Sequence, residues 1–327
     1  MKNKVAKTIK TWFVVSDIHG FFAELRDALK LAGYQKRNKE HGLIICGDIF
    51  DRGPDALAVY NFIQSIPKSR RILIRGNHEL LYKELLEKDF PESHDFSNHT
   101  VDTFCQIAEP ECQYDFDCIE EYFKYDGMSI AYAIYQGDSE ETPVQQHWKK
   151  VLKVVKNHPI TKFIFSDEWI NYYELNNYIF VHSWVPVGSH DGLPAYYIEN
   201  RHFEYRDDWR NATQTEWDDA TWGCPWKMVK KGLNKTGKTI VCGHWSTPDF
   251  FKHLKNIDKP IGDGPIYYSR EAIALDGGVY YNNYYGTYYH PQNVLIIKDG
   301  ICYDKHNKEL KEPKPVPYIK TVPAKNL

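Results

Sequence analysis

The chain has 327 residues, of which 42% are hydrophobic, with a formal net charge of −3 and a pI near 6.5. That is enough apolar material for one large core, and the charge leaves no electrostatic footprint for a nucleic-acid duplex or an anionic membrane. Seven scattered cysteines make no recognisable disulfide framework, and no run approaches the roughly 18–20 apolar residues that span a bilayer, so the expectation is a soluble protein of a reducing cytoplasm.

In chain order, basic residues from Met1 to Lys10 run into the apolar segment Phe13-Val14-Val15 without a signal peptide's apolar stretch. Leu43-Ile44-Ile45-Cys46 and Ile72-Leu73-Ile74 are similar runs, and each of the three reads as a buried strand. A short polar word follows each: Asp17-Ile18-His19-Gly20, Gly47-Asp48-Ile49-Phe50-Asp51-Arg52-Gly53 and Gly76-Asn77-His78-Glu79. With a helix over Phe21 to Leu31, strand and helix alternate from Trp12 to about Leu81. This predicts an α/β fold with parallel pairing and right-handed crossovers. The polar words should then gather where strands end, as ligand sites do in open α/β sheets.

From about 84 to 161 the alternation breaks. The segment is rich in Asp, Glu, Tyr and His, with helical stretches near Val101 to Ile107, Cys118 to Lys124 and Val144 to Lys156. It reads as a mostly helical insertion that roofs or flanks the site, or packs beside it. Pro186 to Trp226 reads as a long irregular stretch dense in Trp, Tyr, Arg and Asp. The run Tyr280 to Tyr289 is either an aromatic wall for a base or phosphotyrosine ring, or a hairpin with alternating Tyr faces. Beyond His306 a Lys- and Pro-rich tail cannot continue a helix. The expected organisation is one domain over 1–306 with the insertion at about 84–161, then the tail at 307–327. Cys46 and Cys242, each in an apolar strand, read as small buried hydrophobes. Histidines outside the motifs, His94 and His99 among them, read as ordinary loop residues.

The residue types in the three words carry the chemistry. Carboxylates, imidazoles and one amide oxygen form a ligand set suited to Mn, Fe or Zn, and no thiolate cluster of a structural zinc site is present. Asp48, in the middle word, is the natural bridge between two cations that generate a hydroxide and clamp a phosphoryl oxygen, with Arg52 meeting a phosphate oxygen.

These words resemble those of the phosphoprotein phosphatase family within the calcineurin-like metallophosphoesterases, which also includes bacterial and phage protein phosphatases and symmetrical diadenosine tetraphosphate hydrolases. Downstream, Tyr178-Ile179-Phe180-Val181-His182-Ser183 resembles the family's strand ending in a metal-binding His, with Ser183 where Ala is usual. Thr239-Ile240-Val241-Cys242-Gly243-His244 resembles the strand that supplies the last His, and Ile273-Ala274-Leu275-Asp276-Gly277-Gly278 resembles the closing Asp-x-Gly turn. His244 is followed by Trp245-Ser246 rather than x-His, which points to the phosphoprotein phosphatase branch.

The resemblance implies an αββα sandwich, central mixed β-sheets flanked by helices. It places Asp17, His19 and Asp48 on a first metal and Asp48, Asn77, His182 and His244 on a second. His78 is then the general acid, held by Asp51, and Arg52 and Arg75 bind the phosphate. A metal-bridging hydroxide attacks phosphorus in line, without a covalent phosphoenzyme. The implied cofactors are two divalent metal ions, Mn2+ first, with Fe or Zn tolerated.

One departure stands out. The family's second phosphate-gripping Arg follows a Trp, and Trp222-Gly223-Cys224-Pro225-Trp226 carries none. Lys227, Arg201, Arg206 and Arg210 are the possible substitutes.

The function expected is a binuclear phosphomonoesterase acting on phosphoserine, phosphothreonine or phosphotyrosine proteins. The alternatives are a nucleotide pyrophosphatase, such as a diadenosine tetraphosphate hydrolase, and a non-catalytic scaffold that binds a phospho-ligand. The partners expected are a phosphoprotein or a phosphorylated nucleotide or small molecule, with no nucleic-acid duplex and no membrane.

Overall fold

The computed structural model describes residues 9–109, 143–189, 203–257, 265–279 and 292–311. Its first sheet is built on β1 (Thr11–Val15), β2 (His41–Cys46), β3 (Arg71–Ile74) and β4 (Trp169–Ile170). These four pair parallel in that order, with Val15 opposite Ile45 and Cys46 opposite Ile74. The second sheet contains β5 (Tyr173–Leu175) and β6 (Tyr178–Phe180). A small hairpin follows, β7 (Gly188–Ser189) with β8 (Phe203–Glu204). Next come β9 (Thr239–Cys242), β10 (Tyr267–Tyr268) and β11 (Ala272–Ala274), which complete the second sheet in the order β10-β11-β9-β6-β5. Finally β12 (Leu295–Lys298) and β13 (Ile301–Tyr303) add antiparallel to the free side of β1. Both sheets are therefore mixed.

Alternation along each strand assigns its two faces. Trp12, Val14, Ile44, Cys46, Ile72 and Ile74 of the first sheet pack directly on Phe180, Val241 and Ile273 of the second. The other face of the first sheet, with Phe13, Val15, Leu43, Ile45 and Leu73, packs under helices. Those helices include α1 (Phe22–Leu31), α2 (Ala56–Gln64) and α3 (Asn77–Glu87). The short α4 (Ser93–Ser97) leads to α5 (Thr100–Ala108), which joins the same layer together with the helix Pro143–Asn157. Ile179, Ile240 and Ala272 face outward from the second sheet onto the helices Gln214–Thr221, Pro225–Lys230 and Thr247–Lys255. Helix, sheet, sheet and helix follow in layers, the expected αββα arrangement. Residues 118–124 lie outside those described. Among the described residues, no helix is long and apolar enough to cross a membrane.

Part of Pro186 to Trp226 departs from the expected irregular stretch. Helix Gln214–Thr221 opens on a capping box, in which Thr213 Oγ1 accepts from Glu216 N and Glu216 Oε2 accepts from Thr213 N at 2.7 Å. Pro225 begins the next helix at a position where its missing N–H costs nothing. Both signals, Thr-x-x-Glu and an N-terminal Pro, are written in the sequence.

Candidate metal centre

The site is assembled at the carboxyl ends of the parallel strands in both sheets. Asp17, Asp48, His182, His244 and Asp276 each stand two residues past β1, β2, β6, β9 and β11, and Asn77 stands three past β3. Turning so sharply off a strand puts Asp17, His19, Asp48, Asp51, Arg52 and His244 in the left-handed region, with φ between 49° and 69°. Each such residue costs about 1–3 kcal/mol, so stability is given up here to fix side-chain direction. Two motif glycines have a steric reason. A Cβ at Gly76 would run into Asp48 Oδ1, and one at Gly243 into Asp17 Oδ2.

Two groups of ligand-type atoms converge, each within 4.8 Å: His19, Asp48 and His78, and Asp48, His182 and His244. Asp48 belongs to both. Its Oδ2 lies 3.7 Å from His19 Nε2, and its Oδ1 lies 3.4 Å from His182 Nε2. Asn77 joins the second group through Oδ1, 2.8 Å from His182 Nε2. Asp17 is outside both. Its two oxygens each lie 3.0 Å from the His244 backbone nitrogen, whose N–H donates to them and ties the ends of the two sheets together.

The histidine tautomers follow from their partners. His182 Nδ1 lies 2.9 Å from Cys46 O, and His19 Nδ1 lies 3.3 Å from Phe50 O. A carbonyl only accepts, so both Nδ1 atoms carry the proton and both Nε2 atoms present a lone pair. Burial, the largest cause, holds His19 well below the ordinary histidine range, lowers His182, and takes His244 down to about 3. These are neutral imidazoles at neutral pH.

The His182 Nε2 lone pair consequently meets Asn77 Oδ1, Asp48 Oδ1 and, at 3.2 Å, His244 Nδ1. Neither of the two oxygens has a proton to give. A cation among them would satisfy all at once, and imidazoles backed by backbone carbonyls are the usual setting for one. The surrounding carboxylates agree. Burial followed by the charges of Asp276 and Asp48 pushes Asp17 well above its ordinary value, and burial takes Asp276 up to about 6. A multivalent cation would relieve that mutual repulsion. The residues therefore fit divalent metal ions.

His78 points its Nδ1 at Asp51 Oδ2, 2.8 Å away, with both side chains almost fully buried. Its Nε2 has no hydrogen-bond partner among the described residues and lies 4.0 Å from Asp48 Oδ2. Arg52 Nη1 is 3.0 Å from His19 Nε2 and donates to it. Arg75 follows β3 with its Nε buried and without a hydrogen-bond partner among the described residues.

Candidates for the second phosphate-binding cation are used elsewhere. Arg206 pairs with Asp208 and Glu216, Arg210 with Glu174, and the Lys227 ammonium lies 5.3 Å from the centre of the Trp226 ring. Arg201, the Tyr280 to Tyr289 run and the tail beyond 311 lie outside the described residues. A third group, Glu92, His94 and Asp95, has the Lys88 ammonium already among its acceptors, 3.0 Å from Asp95 Oδ2 and 2.9 Å from His94 Nε2.

Sequence reasoning gave no role to Glu79. Its Oε2 accepts from the backbone N–H of Gly76 at 2.8 Å and of Asp48 at 3.1 Å, and its Oε1 accepts from Ile49 at 2.9 Å. One carboxylate thus holds the second and third words together. Burial, then the Asp48 charge, raises it to about 7. The Gly-x-x-Glu spacing of a capped helix start was the available signal.

Comparison with known proteins places this geometry. The symmetrical bis(5'-nucleosyl)-tetraphosphatase of Edwardsiella ictaluri is 40% identical over 67 residues, which are 20% of this chain and 23% of that protein. The protein of the same name from Psychromonas ingrahamii is 43% identical over 68 residues, 21% and 24% of the two chains. These matches span about a quarter of the relatives' length. Among solved structures, a cold-active protein tyrosine phosphatase aligns over 93% of this chain and 79% of its own, at 13% identity and a TM-score of 0.46. A model of the calcineurin-like phosphoesterases matches residues 11–248, from the first residue of β1 past His244, and with every converging side chain inside that span the chain belongs to that family.

Proposed function

We propose that this chain is a binuclear, metal-dependent phosphoesterase whose main substrates are phosphoserine, phosphothreonine or phosphotyrosine side chains of proteins. The observation that carries the reading is the convergence of Asn77 Oδ1, Asp48 Oδ1 and His244 Nδ1 on the His182 Nε2 lone pair, with the second Asp48 oxygen turned to His19. Asp17, His19 and Asp48 would hold one ion, and Asp48, Asn77, His182 and His244 the other. Mn2+ is the first choice, and the ligand set also tolerates Fe or Zn. Two such ions supply an activated water and a Lewis acid for the phosphoryl oxygen.

The chain's own residues do the rest. Arg52 and Arg75 bring positive charge to the phosphoryl oxygens as charge builds in the transition state. His78, anchored through Nδ1 to Asp51, delivers the Nε2 proton to the leaving oxygen as the P–O bond breaks and is left as a neutral imidazole. No protein nucleophile is needed.

A second reading, cleavage of a dinucleotide polyphosphate, is favoured by Trp222 and Trp245. Both are half-buried beside His244, with ring centroids 6.2 Å and 6.5 Å from its own, and they offer an aromatic surface on which a base can stack. The names of the partial relatives point the same way. The test is hydrolysis by the Mn-loaded protein of a phosphoserine peptide, a phosphotyrosine peptide and diadenosine tetraphosphate, compared by kcat/KM. Peptide turnover ahead by a hundredfold supports the first reading, and dinucleotide cleavage ahead by that margin replaces it with the second. Metal binding without turnover of any of the three would favour a phospho-ligand scaffold.

A further inference from the structure

We propose that Thr100 and Thr103 of α5 are positioning residues for the general acid, aiming Asp51 so that His78 presents its Nε2 proton to the leaving group. The inference rests on His78 being that acid. Thr103 Oγ1 donates to Asp51 Oδ1 at 2.7 Å and accepts from Asp51 N at 3.0 Å, so its single proton is committed to the carboxylate. Thr100 Oγ1 donates to Asp51 Oδ2 at 2.9 Å, the oxygen that also takes His78 Nδ1–H. Each carboxylate oxygen thus has its own threonine. With both anchored, the carboxylate cannot turn about its Cβ–Cγ bond without breaking a buried hydrogen bond, and the imidazole is held in turn.

The placement of these hydroxyls is not explained by core packing. Both threonines are fully buried. Val101, Phe104, Ile107 and Ala108 already supply the apolar surface of α5 that packs with Tyr82 and Trp148. At 100 and 103, valine would fill the same volume without the cost of burying a hydroxyl. The three-residue spacing continues to Gln106, whose Nε2 donates to Gly53 O at 2.9 Å and whose Oε1 accepts from Ala56 N at 3.1 Å. One flank of α5 therefore grips the segment from Asp51 to Ala56, which includes Arg52. In this role α5 is part of the proton-delivery apparatus.

The test exploits the fact that a general acid matters in proportion to how poor the leaving group is. The Mn-loaded full chain is assayed on phenyl phosphate, a poor leaving group, and on 2,4-dinitrophenyl phosphate, a good one. For Thr100→Val/Thr103→Val the expectation is a loss of roughly 10- to 100-fold in kcat on phenyl phosphate. The loss on the dinitrophenyl ester should be several-fold smaller, with KM and metal content near wild type, and Thr100→Ser/Thr103→Ser should recover most of the activity. If the double valine variant does not fold, the two single valine variants are read in the same way.

Equal losses on both esters, or a serine variant as impaired as the valine one, would reduce the threonines to a structural role. Wild-type rates in the valine variants on both esters would refute the proposal. If His78→Asn discriminates between the esters and the threonine variants do not, this inference fails alone. If wild type hydrolyses neither ester, or His78→Asn does not discriminate between them, the functional reading itself falls and takes the inference with it.

Discussion

Glu79→Gln removes a carboxylate that accepts three buried backbone N–H groups, from Gly76, Asp48 and Ile49. An amide has one accepting oxygen. If that oxygen keeps the two bonds now made by Oε2, the new NH2 group faces Ile49 N–H, donor against donor. At pH 8, above the raised value of about 7, at least one charge-assisted hydrogen bond is lost, worth about 1.5–3 kcal/mol, and a buried donor is left without an acceptor. For a chain of 327 residues, in which 1 kcal/mol shifts Tm by roughly 1.5 °C, that predicts a fall of roughly 2–5 °C. Because the freed Ile49 amide belongs to the peptide bond that follows Asp48, the same change should loosen the residue proposed to bridge two ions. Metal affinity should therefore fall as well. Differential scanning calorimetry of the metal-free protein and a Mn2+ binding titration measure the two effects. A Tm within about a degree of wild type together with unaltered Mn2+ affinity would refute the idea that Glu79 braces the site.

Other outcomes follow from the same geometry. His78→Asn should keep its metal while kcat falls by roughly 10²- to 10⁴-fold, the range for loss of a general acid; elemental analysis beside steady-state kinetics checks both halves. Asp48→Asn should empty at least one metal position, since one oxygen faces each group, and retention of two ions would contradict the bridge. Asp276→Asn tests the buried carboxylates. Burial raises Asp276 to about 6, so the folded metal-free protein binds its proton more tightly than the unfolded chain does. Wild type should then lose stability relative to the variant as pH rises from about 4 through about 6, by a total on the order of 2–4 kcal/mol. Urea titrations in EDTA at pH 4 and 7.5 measure this, and a pH-independent difference would count against it.

Much of the architecture was legible because apolar runs and polar words alternate. Phe13 to Val15, Leu43 to Cys46 and Ile72 to Ile74 read as buried strands, and they pair parallel in register, which brings Asp17, Asp48 and Asn77 to one edge. His182 and His244 were legible through the family resemblance of the segments Tyr178 to Ser183 and Thr239 to His244. What the words could not convey was the layer behind them. Thr100 and Thr103 bond Asp51 across 49 and 52 residues, and a threonine on a helix carries no mark of such a partner. Glu79 stood inside a recognised word, yet its three backbone acceptor bonds depend on β2 and β3 lying side by side. The substitutes for the missing arginine could not be ranked because ion pairing decides them, and Arg206 and Arg210 prove to be committed to nearby carboxylates.

The central claim is that Asp48 lies between two metal positions. Its most direct test is metal stoichiometry: the protein is stripped with chelator, reloaded with Mn2+, passed through a desalting column and analysed for metal per chain. The account predicts two ions per chain in wild type and a loss of one in His182→Ala, with the His19 side retained. One ion or none in wild type, or two ions undisturbed by loss of His182, would contradict it.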